Sequence, residues 1–257
     1  MRIIDLSSPV DASFWEPDEV VHRVLDAHQA AVHVRDEMKE HFGLELDPEV
    51  FPDGAFLTND YLTLTAHTGT HVDAPAHYGP AEGSHTPRTI DRMPLDWFVR
   101  PGMVLDLRDV GTGTAGVAHL EREFERVGRR PRPMDVVLLH TGADRNLGKP
   151  EYFTEFTGLD GPATRLLLEL GVRVIGTDAF SLDAPFTHII REFHRTGDKA
   201  VLWPAHFAGR REEYCQLERL ANLQDLPVST GFTVSCLPVK IAGAGAGWSR
   251  VVALLDE

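Results

Sequence analysis

The segment HTGTHVDAPAH, residues 67–77, limits what this chain can fold into more than any other. It places His67, His71, Asp73 and His77 within eleven positions, framed by threonine, glycine and proline. A helix would bring His67 and His71 to one face, but the Thr-Gly-Thr between them holds two β-branched residues and a glycine, and Pro75 follows closely. In an extended chain side chains alternate, so positions 67, 71 and 73 share a face. At about 3.3 Å per residue, His71 and Asp73 stand roughly 6.6 Å apart at Cα, whereas His67 and His71 stand roughly 13 Å apart. The second separation is too long for one metal at about 2 Å from each ligand. Two arrangements remain. The chain bends at Gly69, where a missing Cβ opens unusual dihedrals, or two ions lie side by side with Asp73 bridging them.

Imidazole nitrogen and carboxylate oxygen suit Zn²⁺, Mn²⁺ or Fe²⁺, and a structural zinc site draws more often on cysteine. The donor set therefore points to a catalytic divalent ion. His77 lies two residues past Pro75, which biases Ala74 toward extended geometry. It reads as a general base, because an ordinary histidine pKa of about 6.5 suits proton transfer at neutral pH. The two cysteines, Cys215 and Cys236, lie in no metal-type spacing and read as a reduced, buried pair.

The 257 residues are enough for one sizeable core, and scattered Gly and Pro mark no domain boundary, so a single domain is expected. No apolar run reaches the roughly eighteen residues of a membrane span. The start MRIIDLSSPV lacks a basic region followed by an apolar one, so a cytoplasmic location is expected. With 25 basic against 39 acidic residues, the net charge of −14 repels phosphate backbones and leaves a small molecule as the expected partner.

RIIDL (2–6) reads as a first strand, and residues 18–42 read as one helix, with Val20, Val21, Val24, Leu25, His28, Ala31, Val32 and Met38 at three-four spacing and Gly43 as the stop. FLTNDYLTLTAH alternates as a strand running straight into the histidines. MVLDL (103–107), DVVLLH (135–140) and VRVIGTD (172–178) read as buried strands, GPATRLLLELG (161–171) as a helix, and TGFTVSCLPVKI and SRVVALL as two late strands. Strands interleaved with few long helices predict a mixed α/β domain rather than a regular doubly wound sheet.

HTGTHVDAPAH resembles the H-x-G-T-H-x-D-x-P-x-H signature of the metal-dependent cyclase superfamily, which includes bacterial kynurenine formamidase and isatin hydrolase. DLSSPV, VVLLHTG, GTDAFSLDAP and AHFAGRREEYCQLERLANLQDLP extend the resemblance over most of the chain, leaving 11–56 as an N-terminal insertion of its own that contains a helix. The resemblance implies an α/β fold of the swivelling β/β/α type, with a short central β-barrel-like sheet and flanking helices, in a symmetric homo-oligomer. It implies His67, His71 and Asp73 as metal ligands and His77 as the catalytic base. His206 and Glu218, twelve residues apart, would complete a binuclear zinc site, with Mn²⁺ as the alternative metal; some relatives resemble a one-metal version. Read without the resemblance, His206 and Glu218 would pass for surface residues.

The early stretch DASFWEPDEVVHRVLDAHQ replaces the formamidases' pocket-shaping sequence, and Phe14 and Trp15 could stack an aromatic ligand there or pack structurally. His140 reads either as a functional group or as a hydrogen-bonded core histidine; Ser181 and Asp183 read as turn or supporting residues, with no histidine placed for a nucleophilic triad.

Two chemistries suit such a site. In one, a polarised carbonyl and His77 close a ring of an aromatic polyketide intermediate by intramolecular aldol reaction. In the other, metal-bound hydroxide opens an aryl formamide or cyclic amide. The enlarged N-terminal region resembles the ring-cyclase branch, so cyclisation is the expected activity and amide hydrolysis the alternative. A purely structural metal-binding protein is the third class, disfavoured by the spare base.

Overall fold

The computed structural model describes residues 1–83 and 86–256. In chain order its strands are β1 (Arg2–Asp5), β2 (Val21–Leu25), β3 (Asn59–Thr63), β4 (His71–Asp73), β5 (Val99–Asp106), β6 (Gly113–Ala115), β7 (Val136–His140), β8 (Thr157–Leu159), β9 (Val174–Thr177), β10 (Cys215–Glu218), β11 (Thr230–Ser235), β12 (Ala246–Trp248) and β13 (Val252–Leu255). The α-helices are α1 (Ala27–Phe42), α2 (Val117–Val127), α3 (Gly161–Glu169), α4 (Phe186–Thr196) and α5 (Pro204–Ala208). The chain divides into two compact units, Met1–Val10 with Ala66–Glu257, and Asp11–Thr65.

The larger unit is built on a nine-stranded sheet in the order β1-β13-β11-β5-β7-β9-β10-β4-β12. Its centre, β5-β7-β9-β10, is parallel, and the other pairings are antiparallel. The apolar runs along β5 and β7 are buried on both faces, as parallel strands usually are. Val104, Val136 and Leu138 enter one core while Met103, Leu105, Val137 and Leu139 enter the other. On the second face, Leu120 and Phe124 of α2 and Ala163, Leu167 and Leu168 of α3 cover the sheet. The first core gathers Ile4 of β1 and Ala253 of β13 with Val72 of β4 and Leu217 of β10, strands from opposite parts of the order, so the sheet curls strongly around it. This is the mixed α/β architecture expected from the alternation of short apolar strands with few helices.

In the smaller unit, β2 and β3 pair antiparallel, from Val21 opposite Thr63 to Leu25 opposite Asn59. The single helix expected over 18–42 is thus a strand followed by a helix. Asp26 decides the boundary. Its side chain accepts hydrogen bonds from the His28 and Gln29 amides, and Gln29 returns one from the Asp26 amide. The valines at 21 and 24 imitate helical spacing, but β-branched side chains fit the strand better, and both are exposed. Of the helical residues only Ala30 and Ala31 are buried. Among the described residues no helix is long and apolar enough to cross a membrane.

Candidate metal centre

The histidine segment is a bend followed by a strand. β3 ends at Thr63, so the strand expected to run into His67 stops short, and His67 lies in the turn before β4. Gly69 makes the turn with φ +69°, where a side chain is strained, and a Cβ there would stand 2.8 Å from Val10 Cγ2. The bend closes the roughly 13 Å of the extended estimate and leaves His67 Nδ1 3.2 Å from His71 Nε2. His71 Nδ1 donates to the Gly69 carbonyl at 2.9 Å, which turns the Nε2 lone pair toward the cluster.

β4 runs between β10 and β12, and antiparallel register sets Glu218 opposite His71. His71 and Asp73, two residues apart, share a face. Both are buried, as is Glu218 at 5 % exposure, so this residue is not on the surface. Around Asp73 Oδ1 lie His67 Nδ1 at 3.0 Å and His71 Nε2 at 3.3 Å; around Oδ2 lie His77 Nε2 at 3.9 Å and His206 Nε2 at 4.0 Å. Glu218 Oε2 is 3.8 Å from His71 Nε2. The six residues expected as metal ligands or base therefore meet in one place. Two triads with mutually close ligand atoms share Asp73: His67-Asp73-His77, partly open, and His71-Asp73-Glu218, fully buried.

His206 reaches the cluster from α5. Its Nδ1 donates to Asp183 Oδ2 at 2.5 Å, leaving Nε2 facing Asp73. Glu218 is held on its far side, its Oε1 accepting from the Leu182 amide at 2.8 Å. Arg219 follows with φ +62°, buried, its guanidinium donating to the His67 carbonyl at 3.1 Å while its own carbonyl accepts from Thr70 Oγ1 at 2.6 Å. Nothing local in the sequence marks Arg219, because its partners lie about 150 residues away. The same holds for Tyr78, whose hydroxyl accepts from the Gln216 amide and helps tie β10 to the histidine segment.

Charge in the cluster is unevenly settled. Burial alone would raise the Asp73 carboxyl, but the imidazoles of His71 and His67 hold it well below the usual range. Burial and the Asp73 charge raise Glu218. Burial pulls His206 down, and the Asp183 hydrogen bond and charge more than reverse this, to about 9. His77 moves the other way: burial, with neighbouring imidazoles, lowers it to about 4 despite Asp73, so its ring is neutral at pH 7.

These residues fit a divalent cation. Both Asp73 oxygens are buried without a hydrogen-bond partner among the described residues, an arrangement that is costly unless a cation meets them. The imidazole nitrogens His67 Nδ1 and His71 Nε2 converge to 3.2 Å, and the donors are nitrogen and oxygen only, as zinc and manganese sites accept. Cys215 and Cys236 are free, buried and outside both triads.

Of the remaining sequence candidates, Asp183 joins the site through His206, and none belongs to either triad. His140 is buried at the end of β7, its pKa lowered by burial and by Arg108. Ser181 is buried, with no hydrogen-bond partner for Oγ among the described residues. Phe14 is half-buried and Trp15 46 % exposed, both in the smaller unit. A cavity of about 1010 Å³ borders α5 on residues such as Pro204, Phe207 and Ile189, but includes no member of either triad.

Residues 4–184 match the family model described as a cyclase. The chain is 30% identical over 198 residues to a kynurenine formamidase of Salinibacter ruber, covering 74% of this chain and 77% of that protein. It is 29% identical over 191 residues to a kynurenine formamidase of Maricaulis maris, covering 74% and 78%. The fold resembles that of isatin hydrolase A from Labrenzia aggregata, solved with benzyl benzoate, at a TM-score of 0.73 and 22% identity over 100% of this chain and 94% of that one. The family match covers His67, His71, Asp73 and His77 of the centre, and the chain belongs to the Cyclase family of enzymes.

Proposed function

We propose that the protein is a divalent-metal-dependent amidohydrolase acting on an aryl formamide or a cyclic amide, with zinc as the metal. The observation that carries the reading is the pair of triads sharing Asp73, in which His77 is the neutral and most exposed member. His67, His71, Asp73, His206 and Glu218 would hold the metal. When bound, such an ion polarises a carbonyl and lowers the pKa of water.

The chain's own groups supply the rest. His77 Nε2 takes a proton from the attacking water as the new C–O bond forms at the carbonyl carbon. The same imidazolium returns that proton to the leaving nitrogen as the C–N bond breaks, so one water is consumed and a carboxylic acid and an amine are formed. Asp73 lies 3.9 Å from His77 Nε2 and favours the transient positive charge. His71, buried and held through Nδ1, keeps its orientation throughout.

Ring closure of a polyketide, the expectation from the enlarged N-terminal region, would use the same base on a carbon acid. Hydrolysis is favoured because both curated relatives named above are formamidases. The test is turnover of aryl formamides and cyclic amides by the zinc-loaded protein, with H77A alongside. Hydrolysis by the wild type, and a loss of about 10²-fold or more in H77A with zinc retained, supports the reading. Closure of poly-β-ketone chains without amide hydrolysis overturns it, and zinc lost from H77A would make His77 a ligand.

A further inference from the structure

We infer that Asp183 is the positioning residue for His206: it fixes which nitrogen of that imidazole faces the cluster and docks the short helix that carries it. The inference rests on the metal-site reading above, and it concerns a carboxylate that the proposed reaction does not itself use.

Asp183 is fully buried and meets three donors. Oδ1 accepts from the Ala205 amide at 2.7 Å; Oδ2 accepts from the His206 amide at 3.1 Å and from His206 Nδ1 at 2.5 Å. A hydrogen on Nδ1 is thereby required, and the other nitrogen, Nε2, is left to point at Asp73. The helix is also held from its other side, where the Tyr214 hydroxyl donates to the Ala205 carbonyl at 2.6 Å and itself accepts from Gln216 Nε2.

The segment that bears Asp183 has no slack. The Leu159 amide of β8 donates to the Leu182 carbonyl at 2.8 Å, and the Leu182 amide holds Glu218. At Gly158 the two backbones approach so closely that a Cβ would stand 2.1 Å from the Asp183 carbonyl carbon. Successive residues 182 and 183 thus hold Glu218 and His206, two cluster members from separate elements.

Asparagine cannot replace this carboxylate. All three groups facing Asp183 are donors, and a side-chain amide presents only one accepting oxygen. In D183N, with that oxygen on the Ala205 amide, the NH₂ would face His206 Nδ1 and drive its hydrogen to Nε2, toward the cluster. With the side-chain amide reversed, the NH₂ would oppose the Ala205 amide and loosen α5.

The experiment titrates Zn²⁺ into the full chain against a chelator for wild type, D183N, H206A and D183N/H206A, with thermal melts as a folding control. D183N is expected to weaken zinc binding 10- to 100-fold, to match H206A, and to add nothing in the H206A background. Unchanged affinity in D183N, or a full additional loss in the double variant, overturns the proposal. A second readout is independent of zinc and of the variants' folding. In the wild-type protein the His206 Nδ1–H should give a strongly deshielded NMR resonance, and its absence overturns the proposal. If the wild type binds no zinc at all, the metal reading fails while this resonance still reports on Asp183.

Discussion

Gly69→Ala isolates the bend on which the centre depends. An L-residue in the left-handed region costs about 1–2 kcal/mol, and the wild-type dihedral is φ +69°. The new Cβ would also meet Val10 Cγ2 at 2.8 Å, but Val10 is 45 % exposed and can rotate away, so the backbone cost dominates. An alanine that relaxes toward the extended region carries His67 off His71, and binding a metal must then restore the bend. The expected loss in zinc affinity is the same about 1–2 kcal/mol, or roughly tenfold. For a chain of 257 residues the unfolding entropy is about 0.5 kcal/mol per kelvin, so the same cost kept in the metal-free fold would lower its melting temperature by about 2–4 °C; relaxation at residue 69 defers the cost to metal binding, and the metal-free melting temperature falls by less. Gly128 supplies the control. It closes α2 at φ +82° with open space where its Cβ would be, so G128A should show the full melting loss of about 2–4 °C with wild-type zinc affinity. Calorimetric melts and chelator competition read both quantities. If G69A binds zinc as tightly as G128A does, the bend is not what brings His67 to the site.

At Gly158 the obstacle to a Cβ is backbone, with Asp183 C at 2.1 Å and Ala184 N at 2.3 Å, so G158A should cost about 3 kcal/mol or more in urea denaturation; a loss below about 1 kcal/mol would contradict the close approach. Asp178 is fully buried, and although it accepts hydrogen bonds from the Thr141 amide and hydroxyl and the Gly142 amide, burial pushes its carboxyl up to about 7. The native state then holds a proton that the unfolded chain has already released, so this group's contribution to stability falls as pH rises from about 4 to 7 and is level above. A carboxyl ¹³C titration of Asp178 with its midpoint near 4 would refute this.

Much of the sheet was legible because buried parallel strands are written as continuous apolar runs, as in DVVLLH for β7 and VRVIGTD for β9. The segment 18–42 misled because Val20, Val21 and Val24 carry a spacing that helices and irregular strands share, and only the Asp26-Gln29 capping pair separates them. The first half of the centre could be read locally, since one bend and one three-residue strand hold His67, His71 and Asp73. The second half could not. Strand register delivers Glu218, and a carboxylate 23 positions earlier turns His206, so neither leaves a trace in its own neighbourhood. Arg219 was invisible for the same reason: its role is a contact with the His67 carbonyl.

Ser8 and Thr70 lie either side of the smaller unit in sequence, yet the Ser8 amide donates to Thr70 Oγ1 at 2.7 Å, and that hydroxyl donates onward to the Arg219 carbonyl. The strap that shapes the histidine bend is therefore fastened within the larger unit. Residues 11–65 thus leave and re-enter the larger unit between two of its residues that are themselves hydrogen-bonded, as an inserted segment does. Within β10 there is no freedom of register, since a slip of one residue would put Leu217 where Glu218 now points. The insertion's two ends are joined by hydrogen bonds of the larger unit itself, while the strand that carries Glu218 admits no shift along its neighbours.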